Sequence, residues 1–233
     1  MNNSHYTYFL ILAGSLAFPL LLSFDKKVAF YKKWKFLFTA MILPAIFYIA
    51  WDALFTSLGV WGFNEKYISG IHLFNLPIEE VLFFFVVPYC CVFVFECIRS
   101  YFPHLKDTHS SRNIFLSLGV LLFIIGLIFH AKYYTAFTFI FTAFFIVSIY
   151  LLRNYFRHFN TASFLISYAI ILIPFLVVNG FLTAIPVVVY NDAENLGIRI
   201  YSIPVEDVFY GMLLMMMNVA GYERLQKQSS SSK

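Results

Sequence analysis

The stretch "NLPIEEVLFFFVVPYCC", residues 75–91, sets Glu79 and Glu80 at the head of an apolar run long enough to enter a membrane. Further along, "SIPVEDVFYGMLLMMMN", residues 202–218, repeats the arrangement with Glu206 and Asp207. Glu79 and Glu206 stand 127 positions apart (206 − 79), and the flanking sequence keeps that offset. Over residues 52–96 against 179–223 the identities include Thr56/Thr183, Asn64/Asn191, Gly70/Gly197, Pro77/Pro204 and Glu96/Glu223. Asp52/Asn179 and Glu80/Asp207 match in kind. Apolar composition inflates chance matches, but not matches at Pro, Asn, Gly and Glu.

The chain has 233 residues, 61% hydrophobic and only 12% charged. Soluble domains carry about twice that charge. A helical span needs about 20 apolar residues, and seven stretches approach that length: 6–24, 36–57, 77–98, 113–130, 133–152, 162–184 and 204–222. Their apolar residues run continuously rather than alternating, which argues against a β-barrel. The expected fold is all-α and integral to the membrane. The first stretch has no basic residue before it and no small-residue cleavage site before Asp25, so it reads as a retained helix.

Three helices are an odd number, so direct fusion of two such units would invert the second. The extra helix restores its direction. The seven transmembrane helices therefore read as a 3+1+3 parallel tandem repeat about an axis along the membrane normal. The boundaries expected are a first three-helix repeat at 1–99, a cytoplasmic loop and linker helix at 100–131, a second repeat at 132–226, and a disordered tail at 227–233. Of the 16 basic residues, all but Lys66, Lys132 and Arg199 fall on one side. Cytoplasmic loops attract Lys and Arg, so the N-terminus is expected outside and the C-terminus in the cytoplasm of a bacterial inner membrane. The formal net charge of +4 follows from this asymmetry and gives no reason to expect a nucleic-acid partner. The cysteines Cys90, Cys91 and Cys97 share one helix and have no zinc spacing.

Acidic residues in a first helical turn suit the positive end of the helix dipole, and a structural reading of the four acids starts there. It leaves three features unexplained. Each site has two acids where one would serve, basic residues are scarce nearby, and the preceding pieces "GIHLFNLP" and "GIRIYSIP" read as buried or re-entrant. Ionisable residues at membrane depth are costly and point to function. Asp52 and Thr56, and likewise Asn179 and Thr183, are four apart and share a helix face at similar depth. Interhelical hydrogen bonding explains them equally well. Glu96 and Glu223 lie at the cytoplasmic ends near Arg99 and Arg224 and read as interfacial salt bridges. Aromatics near the acids, Phe83, Phe84, Tyr201, Phe209 and Tyr210, can stabilise a cation through their faces. Clustered carboxyls in a dry pocket cannot all ionise. One stays protonated, as a general acid suited to an apolar alkene.

"PIEE" and "PVED", each heading a helix in a three-helix repeat and each preceded by the Asn64–Gly70 or Asn191–Gly197 spacing, resemble the membrane lycopene cyclases of the heterodimeric type. This chain is similar to the fused bacterial form over nearly its whole length. The resemblance implies cyclisation of the ψ ends of lycopene, or a related linear carotenoid, to β rings. A carboxylic acid protonates C2, the C1 cation is attacked by the C5–C6 double bond, and a carboxylate removes a proton from C6. No net redox occurs. The resemblance implies that Glu79, Glu80, Glu206 and Asp207 are catalytic, with Glu79 and Glu206 the strongest pair because they are identical between repeats. It leaves open which is acid and which is base. Asp52, Thr56, Asn64, Asn179, Thr183 and Asn191, with the aromatics above, are the supporting candidates. No GxGxxG is present, and neither cofactor nor metal is expected. Expected partners are the carotenoid, membrane lipid and other carotenoid-pathway enzymes.

Four rival readings stand beside it, and the sequence leaves the carotenoid hydratase open. A prenyltransferase needs paired aspartate-rich motifs, and "NDAEN" at 191–195 has only "NEKYI" as its repeat partner. A retinal protein needs a lysine in helix 7, which has none between Pro204 and Glu223. A carotenoid hydratase shares the first cation and traps it with water. A proton-coupled transporter shares the three-plus-one-plus-three plan, but a sugar path needs polar lining and these helices offer Phe, Leu, Ile and Val.

Overall fold

The computed structural model describes residues 3–231. Seven α-helices occur among them: α1 (Thr7–Leu22), α2 (Trp34–Ser57), α3 (Ile78–Tyr101), α4 (His109–Ile128), α5 (Tyr133–Leu151), α6 (Thr161–Ala184) and α7 (Val205–Ser231). Six are long and apolar enough to cross a membrane. The seventh, α7, has its apolar run interrupted by Glu206, Asp207 and Asn218. No residue from Val205 to Gln226 is exposed, so α7 is enclosed by its neighbours rather than by hydrocarbon. At the other extreme, α1 buries only Tyr8 and Leu12. Phe18, Leu43, Phe144 and Ile173 are exposed on the outer surface of the bundle, as lipid-facing residues should be. The chain is an all-α membrane protein.

The repeats are interleaved. Within each unit α1 packs on α3 and α5 on α7, while α2 crosses to α7 and α6 crosses to α3. The linker α4 lies along α5, where Gly119 and Gly126 face Ile146 and Ile140 closely enough that a Cβ would intrude. Small residues let membrane helices approach in this way. Helix α4 starts at His109, ahead of the expected start, because Thr108 caps it by accepting a hydrogen bond from the Ser111 amide at 3.0 Å. Helix α7 continues to Ser231, past residue 227 where the tail was expected to begin. Residues 227 and 228 are Lys and Gln, good helix formers that extend an existing helix at little cost. Residues 232 and 233 lie outside the described part.

Short strands form the loops at the end that bears the acid motifs. β1 (Trp61–Phe63) pairs antiparallel with β4 (Val188–Tyr190), joining the two repeats. Gly62 faces Val189, its own equivalent 127 positions on, so the pseudo-twofold axis passes through this pair. β2 (His72–Leu73) with β3 (Leu76–Pro77), and β5 (Arg199–Ile200) with β6 (Ile203–Pro204), make two hairpins that lead into α3 and α7. The hairpin tips are exposed rather than buried in protein: Phe74 is 82% and Tyr201 87% exposed. Both take a left-handed backbone, φ 57° and 60°, and that turn geometry throws their rings outward.

Candidate active site

Each acid motif begins where a hairpin meets its helix. Gly70 and Gly197 turn the chain at φ 79° and 72°, a conformation glycine adopts without strain. The first carboxylate of each pair then clasps the loop behind it. Glu79 Oε1 accepts from the Ser69 amide at 2.8 Å, and Glu206 Oε1 accepts from the equivalent Leu196 amide at 2.8 Å. Glu206 also accepts from the Thr135 hydroxyl at 2.6 Å. Both glutamates are fully buried, and neither lines the cavity beside them.

The second acid of each pair does. Glu80, Asp207 and Asp52 face a cavity of about 50 Å³ between the repeats. Asp207 meets three donors: Tyr134 Oη at 2.5 Å on one oxygen, and Asn179 Nδ2 at 3.1 Å with Tyr190 Oη at 3.0 Å on the other. Both its oxygens act as acceptors, the hydrogen-bonding role of a carboxylate. Burial, and then the adjacent Asp207, hold the Tyr190 phenol well above its ordinary pKa, so it remains a donor. Glu80 accepts from Tyr8 Oη at 2.6 Å. The Tyr8–Glu80 and Tyr134–Asp207 pairs are pseudo-equivalent, and they fix the offset between α1 and α5 at 126 (134 − 8).

Asp52 breaks the symmetry. Its Oδ1 accepts from Trp61 Nε1 at 2.5 Å and from Thr56 at 3.4 Å. Its Oδ2 is buried and meets no donor. Asp52 and Glu80 share the cavity wall, and the two carboxyls have three donors between them, Trp61, Thr56 and Tyr8, where Asp207 alone has three. On the other side the equivalent of Asp52 is Asn179, which donates to Asp207 instead. The paired strands supply one donor to each side, Trp61 from β1 and its register partner Tyr190 from β4. Rings close the walls. Trp61 lies edge-on to Tyr134 at 5.0 Å, Tyr134 stacks on Tyr190 at 5.8 Å, and Phe83 and Tyr210 complete the lining.

Of the residues singled out from the sequence, the structure therefore brings Asp52, Glu80, Asn179, Thr183, Asp207, Phe83 and Tyr210 to one cavity. Thr56 reaches it only through Asp52. Asn64 and Asn191 shape the loops: each accepts from an amide two residues on, and Asn191 also donates to the Gly59 carbonyl at 3.1 Å. Phe84 is buried against Tyr48, and Phe209 packs on Phe139. Tyr201 stands at its hairpin tip, away from the acids. Arg199 pairs with Asp192 and donates to the Ser202 carbonyl, so it does not neutralise the motif. Glu96 bonds Lys33 and, at 3.0 Å, Arg99, which also reaches Glu223 at 3.4 Å. Arg224 instead stacks on Tyr155. Sequence reading passed over Tyr8, Tyr134, Trp61 and Tyr190, although the tyrosine pair is visible once the offset is relaxed by one residue.

Among the described residues no group of three His, Cys, Asp or Glu side chains has the geometry to hold a metal ion. The lycopene cyclase family model matches the chain over residues 5–98 and again over 131–225. The offset between the matches, 126 at their starts (131 − 5) and 127 at their ends (225 − 98), is the one the side-chain pairs describe. No curated protein and no solved structure matches the chain. The two matched segments span most of its length, and the chain belongs to the lycopene cyclase family as a fused, two-repeat member. That membership carries a carotenoid-cyclising role and a linear carotenoid as substrate.

Proposed function

We propose that this chain closes the ψ ends of lycopene to β rings, with the Asp52–Glu80 pair as proton donor and Asp207 as proton acceptor. The observation that carries the reading is the unequal treatment of three carboxyls on one aromatic cavity. Two of them, Asp52 and Glu80, lie together with an acid oxygen left without a donor, which favours a proton held between them, and the third is ringed by donors. An acid in a hydrocarbon-lined site needs no more than this to protonate C2 of the terminal alkene. The cation at C1 is then attacked by the C5–C6 double bond, the ring closes, and the charge moves to C5. The faces of Trp61, Tyr134 and Tyr210 stabilise it. Asp207 removes the proton from C6, and its return to Glu80 within the cavity resets the site. Atoms and electrons balance without an added reductant or oxidant.

On this reading Glu79 and Glu206 are positioning residues that hold each hairpin against its helix. The site lies toward the outer face, with the N-terminus outside and the Lys33–Glu96–Arg99–Glu223 cluster in the cytoplasmic interface. The domain boundaries at 1–99, 100–131 and 132–226 belong to the same reading. Expression in a lycopene-accumulating bacterium followed by pigment chromatography tests it. Ring products of unchanged mass support cyclisation. Products heavier by one water mean hydration, and unchanged lycopene refutes both.

A further inference from the structure

A second cavity of about 360 Å³ opens on the lipid-facing surface between α1 and α6, with α3 as its floor. Its lining is almost wholly apolar. It shares Phe83, Phe175 and Asn179 with the carboxyl cavity, so the two meet end to end. Along α3 it runs from Phe83 to Val94, eleven steps in sequence, or ~16 Å. That is about half the hydrocarbon thickness of a bilayer.

The internal repeat shows that this groove is not a by-product of the fold. Its pseudo-equivalent lies between α5 and α2 on α7. With the offsets fixed above, Ser15 corresponds to Phe141, Pro174 to Phe47 and Val178 to Trp51. On that side the three aromatics fill the space, with Phe141 5.8 Å from Phe47 and 5.3 Å from Trp51. On the open side the smaller residues leave it empty, and a Cβ added at Gly14 would meet nothing within 4 Å. Two homologous grooves have diverged, one sealed and one open, and the open one ends at the carboxyls.

We propose that the α1–α3–α6 groove binds the polyene chain of the linear carotenoid, admits it sideways from the bilayer, and passes one end between Phe83 and Phe175 to the acids. The proposal rests on the cyclase reading. A phospholipid is the competing occupant, but its headgroup needs polar partners, and Asn179, the polar side chain where the groove meets the acids, already donates to Asp207.

The test copies the sealed side onto the open one. The full chain with Ser15→Phe and Val178→Trp is reconstituted in phosphatidylglycerol–phosphatidylcholine nanodiscs beside wild type. Ile42→Trp, on the exposed face of α2, controls for added bulk. Lycopene seating is read from its induced visible circular dichroism in a Glu80→Gln background, and ring formation by chromatography in the active background. The filled variant should lose at least roughly 10-fold in both, since displaced substrate loses its catalytic alignment, while Ile42→Trp loses neither. If the filled variant fails to insert, Gly14→Leu decides by the same two readouts. A filled groove that still seats lycopene, whether or not it cyclises it, overturns the proposal. Wild type that seats lycopene through this groove and makes no ring refutes the cyclase reading alone. Wild type that makes rings undiminished by the filling refutes the groove alone.

Discussion

Replacing Asp207 by Asn tests the division of labour among the three carboxyls most directly. The side chain keeps its shape, and the hydrogen bonds limit the structural cost. The amide oxygen can stay with Asn179 and Tyr190, while the amide NH₂ donates to the Tyr134 hydroxyl, which rotates to accept. Three charge-assisted bonds become neutral ones, at about 1 kcal/mol each or about 3 kcal/mol in all. Folded proteins have about 5–15 kcal/mol to lose, so the variant should insert and remain folded. The catalytic cost is larger. A positioned base contributes ~10²–10⁴-fold, or ~3–5 kcal/mol of barrier. Initial rates of ring formation in nanodiscs, normalised to folded protein, should fall by that factor. The residual product should also change. With the acceptor gone, the closed cation loses its proton from C4 or from the C5 methyl as well as from C6, so ring isomers should accompany the β product. Glu80→Gln should slow the reaction without redistributing the rings. An Asp207→Asn enzyme with wild-type rate and a pure β product would sink the assignment.

Four further outcomes follow from the same geometry. Glu79→Gln and Glu206→Gln retain an oxygen for the Ser69 and Leu196 amides, so both should keep most of their activity, while the Ala variants should lower the unfolding temperature. Activity lost in the Gln forms with folding intact would return these residues to the chemistry. Asp52→Asn should cost ~10²-fold or more, and adding Asn179→Asp should restore part of it by setting a second carboxyl beside Asp207; no restoration would mean that Asp52 does more than share a proton. Arg99→Ala removes a partner of two buried glutamates and should destabilise by roughly 1–3 kcal/mol, read from denaturant midpoints, with turnover per folded molecule unchanged. Cysteines placed at Lys26 and Lys66 should label from opposite faces of the membrane, and labelling from one face would reverse the orientation.

The helices and the duplication were legible because hydrocarbon demands continuous apolar runs and because Pro, Asn, Gly and Glu seldom coincide by chance. The acid motif was legible for the same reason. What the sequence could not express was which acid of each pair faces the cavity. Adjacent residues on a helix point about 100° apart, and the phase is set by how the hairpin docks. Glu79 and Glu206 are identical between repeats, and they clasp equivalent loop amides on both sides. The residues that differ, Asp52 against Asn179 and Glu80 against Asp207, are the ones on the cavity. On the proposed reading, identity between repeats tracks the shared scaffold and divergence marks the site. Tyr8 and Tyr134 stayed hidden behind a one-residue change of offset. Trp61 and Tyr190 stayed hidden because a three-residue strand pairing across two repeats leaves no periodic signal.

A symmetric dimer of this unit would present the same groups to both sides of its cavity, which is poorly suited to a reaction that adds a proton at one carbon and removes one from another. Duplication within one chain removes that constraint, since each copy can change alone. Here Asn at 179 gives Asp207 a donor where Glu80 has the carboxyl of Asp52 beside it, and Tyr190 in place of Phe63 adds a further donor to the same oxygen. The aromatic seal at Phe47, Trp51 and Phe141 breaks the symmetry in the same sense, leaving one approach to the acids from hydrocarbon. On this reading, donor, acceptor and approach are fixed relative to one another by few side chains on a frame that the two repeats share. One composite site would treat the two ends of the polyene in turn, with the substrate leaving and returning reversed between the two cyclisations. A half-cyclised product should accordingly accumulate and then decay in a time course, whereas two independent sites acting on one bound polyene would pass it through without release.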